Sequence, residues 1–120
     1  MNLTTQNGTA LDLLRLRTGA NGGINKVFLN TSGQLVVKSD VTNNTKNSGV
    51  ALPSGWNTVE LCTTVGTTGS ADLYLNGTKI VNGWVQDTGT TPVAKINLGE
   101  SANRTFTVNF DDVVVDAFPG

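Results

Sequence analysis

Apolar residues along this chain come in short runs broken by glycine, asparagine and threonine, and within the runs they alternate with polar residues. A period of two places successive side chains on opposite faces of an extended strand, so each run predicts a strand with one wall on a core. The first run is ALDLLRLRT, residues 10–18, in which Arg15 and Arg17 share one parity and Leu14 and Leu16 the other. The two arginines read as a small solvated stripe. Residues 24–30 (INKVFLN) and 34–40 (QLVVKSD) flank Thr31-Ser32-Gly33 and predict a hairpin. Residues 41–49 (VTNNTKNSG) have no apolar period and read as an exposed connection, followed by a short VAL and the turn Pro53-Ser54-Gly55.

The strongest local signal is residues 56–65 (WNTVELCTTV), a Gly-Thr-Thr-Gly turn, and residues 71–81 (ADLYLNGTKIV). Val59, Leu61 and Val65 share one face, as do Ala71, Leu73 and Leu75. Asn76-Gly77 is the pair favoured at the centre of a type I′ turn, where both residues need positive φ, so a tight hairpin is predicted there. Residues 82–92 read as a loop and 95–99 as a further strand. In residues 105–116 (TFTVNFDDVVVD), Phe106, Val108 and Phe110 hold one parity and Val113 and Val115 the other, so the inward face changes phase at Asp111-Asp112. Such a change needs a bulge or bend. The whole reads as one all-β domain, residues 1–120, an antiparallel β-sandwich without an ordinary helix.

Charge and composition narrow the partners. With 8 basic and 9 acidic residues and no charge runs, there is no electrostatic footprint for nucleic acid. No stretch approaches the roughly 20 apolar residues of a membrane span, so no membrane insertion is expected. The start MNLTTQNGTA lacks the basic and apolar regions of a signal peptide, which predicts either a protein that is not exported or a domain of a larger parent. Cys62 is the single cysteine and reads as a small, half-buried residue.

The order GWNTVEL, ADLYLNGTKI, INLGE, FTVNFDDVVVD resembles the laminin-G-like, concanavalin A-like jelly roll of small bacterial type, over residues 10–118. The resemblance implies a jelly-roll sandwich, a place in a larger extracellular or cell-surface protein, and carbohydrate as the ligand class. Family members usually begin with strands that pair with the last strand, whereas only MNLTTQNGT precedes the first run here. An N-terminal strand is therefore expected to be missing, which leaves a trimmed domain, a minimal sandwich, or a sandwich whose exposed edge another copy completes.

Without histidine, Ser-His-Asp and Cys-His nucleophiles and histidine metal sites are excluded. Glu60 and Glu100 do not show the closely spaced inward carboxylates of a glycoside hydrolase, so the chain reads as non-catalytic, with hydrolysis a distant third reading. Asp111 and Asp112 are hard oxygen ligands at a strand irregularity and are the candidate site for a structural Ca²⁺, a reading that similar-looking jelly rolls reinforce. For a sugar, exposed rings with polar neighbours are the chemistry required. Trp84, in the expected loop, and Tyr74, of outward parity with Asp72 and Asn76, are the candidates. Trp56 is assigned to the edge of the core on family resemblance, and Phe28, Phe106, Phe110 and Phe118 to the core itself. The expected function is thus a binding module for carbohydrate or a protein partner; the alternative is an assembly domain forming homo-oligomers through an edge strand.

Overall fold

A computed structural model describes residues 2–5, 10–98 and 107–109. The regular elements among the described residues are all strands: β1 (Asn2–Thr5), β2 (Leu11–Arg17), β3 (Gly23–Leu29), β4 (Gln34–Ser39), β5 (Thr45–Ala51), β6 (Val59–Thr64), β7 (Gly69–Leu75), β8 (Thr78–Gln86), β9 (Lys95–Leu98) and β10 (Thr107–Asn109). All pairings are antiparallel, in sheets ordered β5-β4-β3-β2-β9, β6-β7-β8 and β1-β10.

Alternation in the sequence becomes a shared core. Leu11, Leu13, Val27, Leu29, Leu35 and Val37 from the larger sheet meet Ala71, Leu73, Leu75 and Val81 from the smaller one in a single apolar cluster. The two sheets therefore face each other as in a sandwich. Each fully buried leucine or valine contributes about 1.5–3 kcal/mol relative to exposure, so this cluster supplies the main driving force. Polar rungs cross between the sheets at its margin. The buried Asn25 donates from Nδ2 to Thr63 Oγ1 at 2.8 Å, and the buried Ser39 hydroxyl donates to the Asp87 carbonyl at 2.8 Å.

Several expectations change. Asn2–Thr5 is itself a strand, paired with Thr107–Asn109, so the N-terminal strand expected to be missing is present. Residues 45–51, expected within or beside a connection, form β5, an edge strand on β4. Its polar side chains face solvent while the Ser48 hydroxyl donates to the Leu35 carbonyl at 2.6 Å and Val50 leans on the core. Backbone pairing needs no apolar period, which is why the sequence pattern misses such a strand.

Residues 82–86, expected in a loop, continue β8. Register shifts between Ala71 and Leu73 and between Leu73 and Tyr74 let β8 carry extra residues past β7, and Gly83 takes φ 59° within this irregular stretch. A similar shift in β2, between Asp12 and Leu14, explains the odd spacing of LDLLRLR. Leu11 faces the core before it, Leu13 is the extra residue within it and is buried too, and Leu14 and Leu16 pair with Val27 and Asn25 after it.

The expected solvated arginine stripe is instead a half-buried charge network on the outer face of the larger sheet. Arg15 lies 3.7 Å from Asp12 and 3.4 Å from Asp40, and Lys26 lies 2.7 Å from Asp12. Arg17 donates to the Asn97 side chain and, at 3.1 Å, to the Asn21 carbonyl. Phe28, expected in the core, sits on this outer face opposite Asp12 and Val36, with the Lys26 ammonium 5.2 Å from its ring centre. Phe106, Phe110, Asp111, Asp112 and Phe118 lie outside the described residues.

At the far end of β7, Gly69 makes a close approach that only glycine permits. A Cβ there would stand 2.2 Å from the Thr64 carbonyl oxygen and 2.4 Å from Thr88 Oγ1. The buried Thr88 hydroxyl ties this corner together, donating to the Thr64 carbonyl at 3.0 Å and accepting from the Gly66 N–H at 3.0 Å. Chemical denaturation should find Leu73→Ala, at the centre of the core, destabilised by about 2–5 kcal/mol. Gly69→Ala should lose about 1–3 kcal/mol by overpacking. A Gly69→Ala protein as stable as the parent would contradict the close approach.

Candidate functional site

The ligand residues expected from sequence are divided: Tyr74 and Asp72 share one face of the smaller sheet, whereas Trp84 lies on the other face and Asn76 is tied into a turn. Trp84 is opposite Ala71 on β8, half-buried and packed against the core cluster rather than raised on a loop. Tyr74 is on the opposite face of the same sheet, paired with Glu60 on one side and Lys79 on the other. Asp72 shares Tyr74's face, but its carboxylate is engaged: Oδ1 accepts the Gly83 N–H at the β8 irregularity, and Oδ2 lies 3.8 Å from Lys79. Asn76 is engaged as well, as described below. Among the described residues no three cysteine, aspartate or glutamate side chains converge as a metal cage; the calcium expectation rests on Asp111 and Asp112, outside them.

The exposed aromatic ring is Trp56, the residue assigned from sequence to the edge of the core. It is 58% exposed, the largest exposed apolar side chain among the described residues. Its loop is held by the next residue. Asn57 is buried, and its Nδ2 donates to the Pro53 carbonyl at 2.7 Å and the Gly55 carbonyl at 3.1 Å, closing the turn that precedes the tryptophan. Gly55 takes φ 84°, a conformation that disfavours any side chain at this point of the turn.

The loop is also tied to the next hairpin. Asn76 Nδ2 donates to Asn57 Oδ1 at 3.0 Å, the Thr58 N–H donates to Asn76 Oδ1 at 2.8 Å, and the Asn76 N–H donates to the Thr58 carbonyl at 2.8 Å. Asn76 (φ 51°) and Gly77 (φ 82°) both have the positive φ expected of the type I′ turn. Asn76 therefore acts as a clamp, not as a free hydrogen-bonding partner. One signal for Trp56 was in the sequence: it has the parity opposite to Val59 and Leu61 and follows a Pro-Ser-Gly turn.

One rung inward from this end, the outer face of β6-β7-β8 carries Glu60, Cys62, Asp72, Tyr74 and Lys79. The Lys79 ammonium lies 5.3 Å from the Tyr74 ring centre, and its pKa is raised, chiefly by its hydrogen bond to Tyr74 and then by the Asp72 charge. Cys62 Sγ donates to Glu60 Oε2 at 3.2 Å. Burial first, and then the Glu60 hydrogen bond and charge, push the thiol up from 9.0 to about 11. A thiol held protonated is a poor nucleophile, so this face offers little reactivity at neutral pH.

No protein-family model, curated protein or solved structure matches the chain.

The thiol makes a direct prediction. Alkylation of Cys62 in the folded chain should rise with a midpoint near pH 11, against about 9 after unfolding. Glu60→Gln should move the midpoint only part of the way down, because burial is the larger cause. Since the folded-state pKa is raised, the associated stability is fully present below pH 9.0 and is lost as pH rises towards about 11. A folded-state midpoint at the ordinary thiol value would contradict the Glu60–Cys62 contact.

Proposed function

We propose that the chain is a non-catalytic binding module of laminin-G-like, jelly-roll kind, carried by an extracellular or cell-surface protein, and that it takes carbohydrate on Trp56. The observation that carries this reading is a tryptophan left 58% exposed on a loop fixed by Asn57 and Asn76. Leaving a large ring in water forgoes the stabilisation its burial would bring, and fixing its loop lowers the entropy lost when a ligand stacks on it.

The loop and the hairpin clamped to it suit an uncharged ligand. Residues 53–58 (PSGWNT) and 76–78 (NGT) contain no charged side chain, while Ser54, Thr58 and Thr78 are exposed hydroxyls able to meet sugar hydroxyls. A pyranose ring offers an apolar C–H face for the indole and polar groups at its rim, so the substrate class is a neutral oligosaccharide rather than an acidic or sulfated one.

A panel of neutral oligosaccharides titrated against tryptophan fluorescence tests this. In a Trp84→Phe background, where Trp56 is the single emitter, binding should shift the emission. Trp56→Ala should weaken affinity by roughly tenfold or more, about 1.4 kcal/mol per tenfold, without lowering the melting temperature, and Trp56→Tyr should recover part of it. Equal affinity in parent and Trp56→Ala would sink the assignment.

A further inference from the structure

We infer that β6 is a self-recognition edge, along which two copies of this chain pair antiparallel about a twofold axis. Exposed strand edges attract other strands, and proteins ordinarily block them with bulges, proline, short strands and charged side chains, lysine above all. The other outer strands of the two main sheets carry such devices. The β5 edge has a register shift, Lys46 and Gly49 at φ 74°. The β8 edge has two register shifts, Lys79 and Gly83 at φ 59°. The β9 strand is only 4 residues long and includes Lys95.

The β6 strand carries a single charged side chain, Glu60, and none of the other devices. Its 6 residues, VELCTT, pair with β7 from Val59↔Leu75 to Thr64↔Ser70 without a shift, and they include no glycine, proline or lysine. The direction of its backbone groups follows from the clamp at its start. The Asn76 N–H donates to the Thr58 carbonyl, so Thr58 faces β7. In an antiparallel ladder the two backbone groups of a residue point the same way and alternate along the strand. Glu60, Cys62 and Thr64 therefore bond to β7, and Val59, Leu61 and Thr63 present their N–H and C=O groups on the other side, which no strand among the described residues occupies.

A second copy of β6 fits this row. Keeping inward residues opposite inward residues requires partners of equal parity. With the axis at Leu61, Val59 meets the partner's Thr63, Leu61 meets the partner's Leu61, and all the outward backbone groups of Val59, Leu61 and Thr63 find partners. A register centred on Cys62 leaves Val59 without a partner on β6. In the Leu61 register Glu60 stands opposite the partner's Cys62, so no like charges face each other across the ladder. Leu61 and Thr63, both half-buried, gain cover on the core side. The result is one continuous sheet through both molecules, with Trp56 remaining outside the paired segment.

Sedimentation of the whole chain from micromolar to millimolar concentration should show a monomer converting to a dimer. Val59→Pro removes an outward N–H without touching the β7 ladder, and should leave a folded monomer over the same range. A nitroxide on Cys62, the single cysteine, attached through a methanethiosulfonate reagent at mildly alkaline pH to offset the raised thiol pKa, is the second readout and leaves the backbone edge intact. In this register the two labels sit on diagonal positions, with backbones roughly 7–8 Å apart, so strong dipolar broadening should appear in step with the dimer. A chain that stays monomeric, or a dimer without broadening, overturns the proposal. Trp56→Ala should dimerise like the parent, which separates this inference from the carbohydrate reading.

Discussion

Each of the two main sheets has one apolar face that water cannot satisfy, and the structure depends on those two faces covering each other. Leu73, with Ala71 and Leu75 beside it, can be buried only because Leu11, Leu13, Val27, Leu29, Leu35 and Val37 arrive from the opposite sheet. The alternation along β7, buried at every second residue from Gly69 to Leu75, is the local expression of that constraint. Burial is non-directional, however, and would tolerate some sliding of one sheet over the other. Asn25 to Thr63 and Ser39 to Asp87 are directional bonds that cross the gap and fix one alignment. In a poorly hydrated interior, misaligning them would leave buried polar groups unpaired.

Departures from ideal strand geometry occur where the core requirement and the chain disagree. In β2 the apolar residues change parity, and the shift between Asp12 and Leu14 keeps leucines inward on both sides of it. In β8 the shifts absorb residues that β7 does not match, and the Asp72 carboxylate accepts the Gly83 N–H there. The outer face of the larger sheet balances charge by direct pairing: Arg15 and Lys26 converge on Asp12, and Arg15 also approaches Asp40. Removing one member of such a half-buried group costs more than forming it gained, because the remaining charge is left poorly solvated.

The same economy of interactions shapes the Trp56 end of the smaller sheet. Two asparagines, Asn57 and Asn76, bond to each other and to three backbone carbonyls, so a loop and a hairpin distant in sequence become one rigid corner. The Trp56 ring on that corner is exposed, and the asparagines that hold its loop are satisfied by each other and by the backbone. The two proposed activities use separate parts of this sheet: a ligand on the corner, and a second copy along β6.

The strands beginning near Leu11, Ile24, Gln34, Val59, Ala71 and Lys95, and the turn at Asn76-Gly77, were legible in the sequence, because side-chain alternation and positive-φ residues are local properties that the chain carries into any fold. What remained hidden was decided by partners distant in sequence. Asn2–Thr5 and Thr45–Ala51 are strands through backbone pairing with β10 and β4, and a polar sequence gives no sign of which neighbour will accept its N–H groups. Arg15 reads as solvated until Asp40 is brought beside it. Trp84 and Trp56 exchanged their expected places for the same reason. Whether a ring is buried depends on what the opposite sheet and the adjoining hairpin place against it, so alternation determined the faces of each strand and only the packed sheets determined which faces met water.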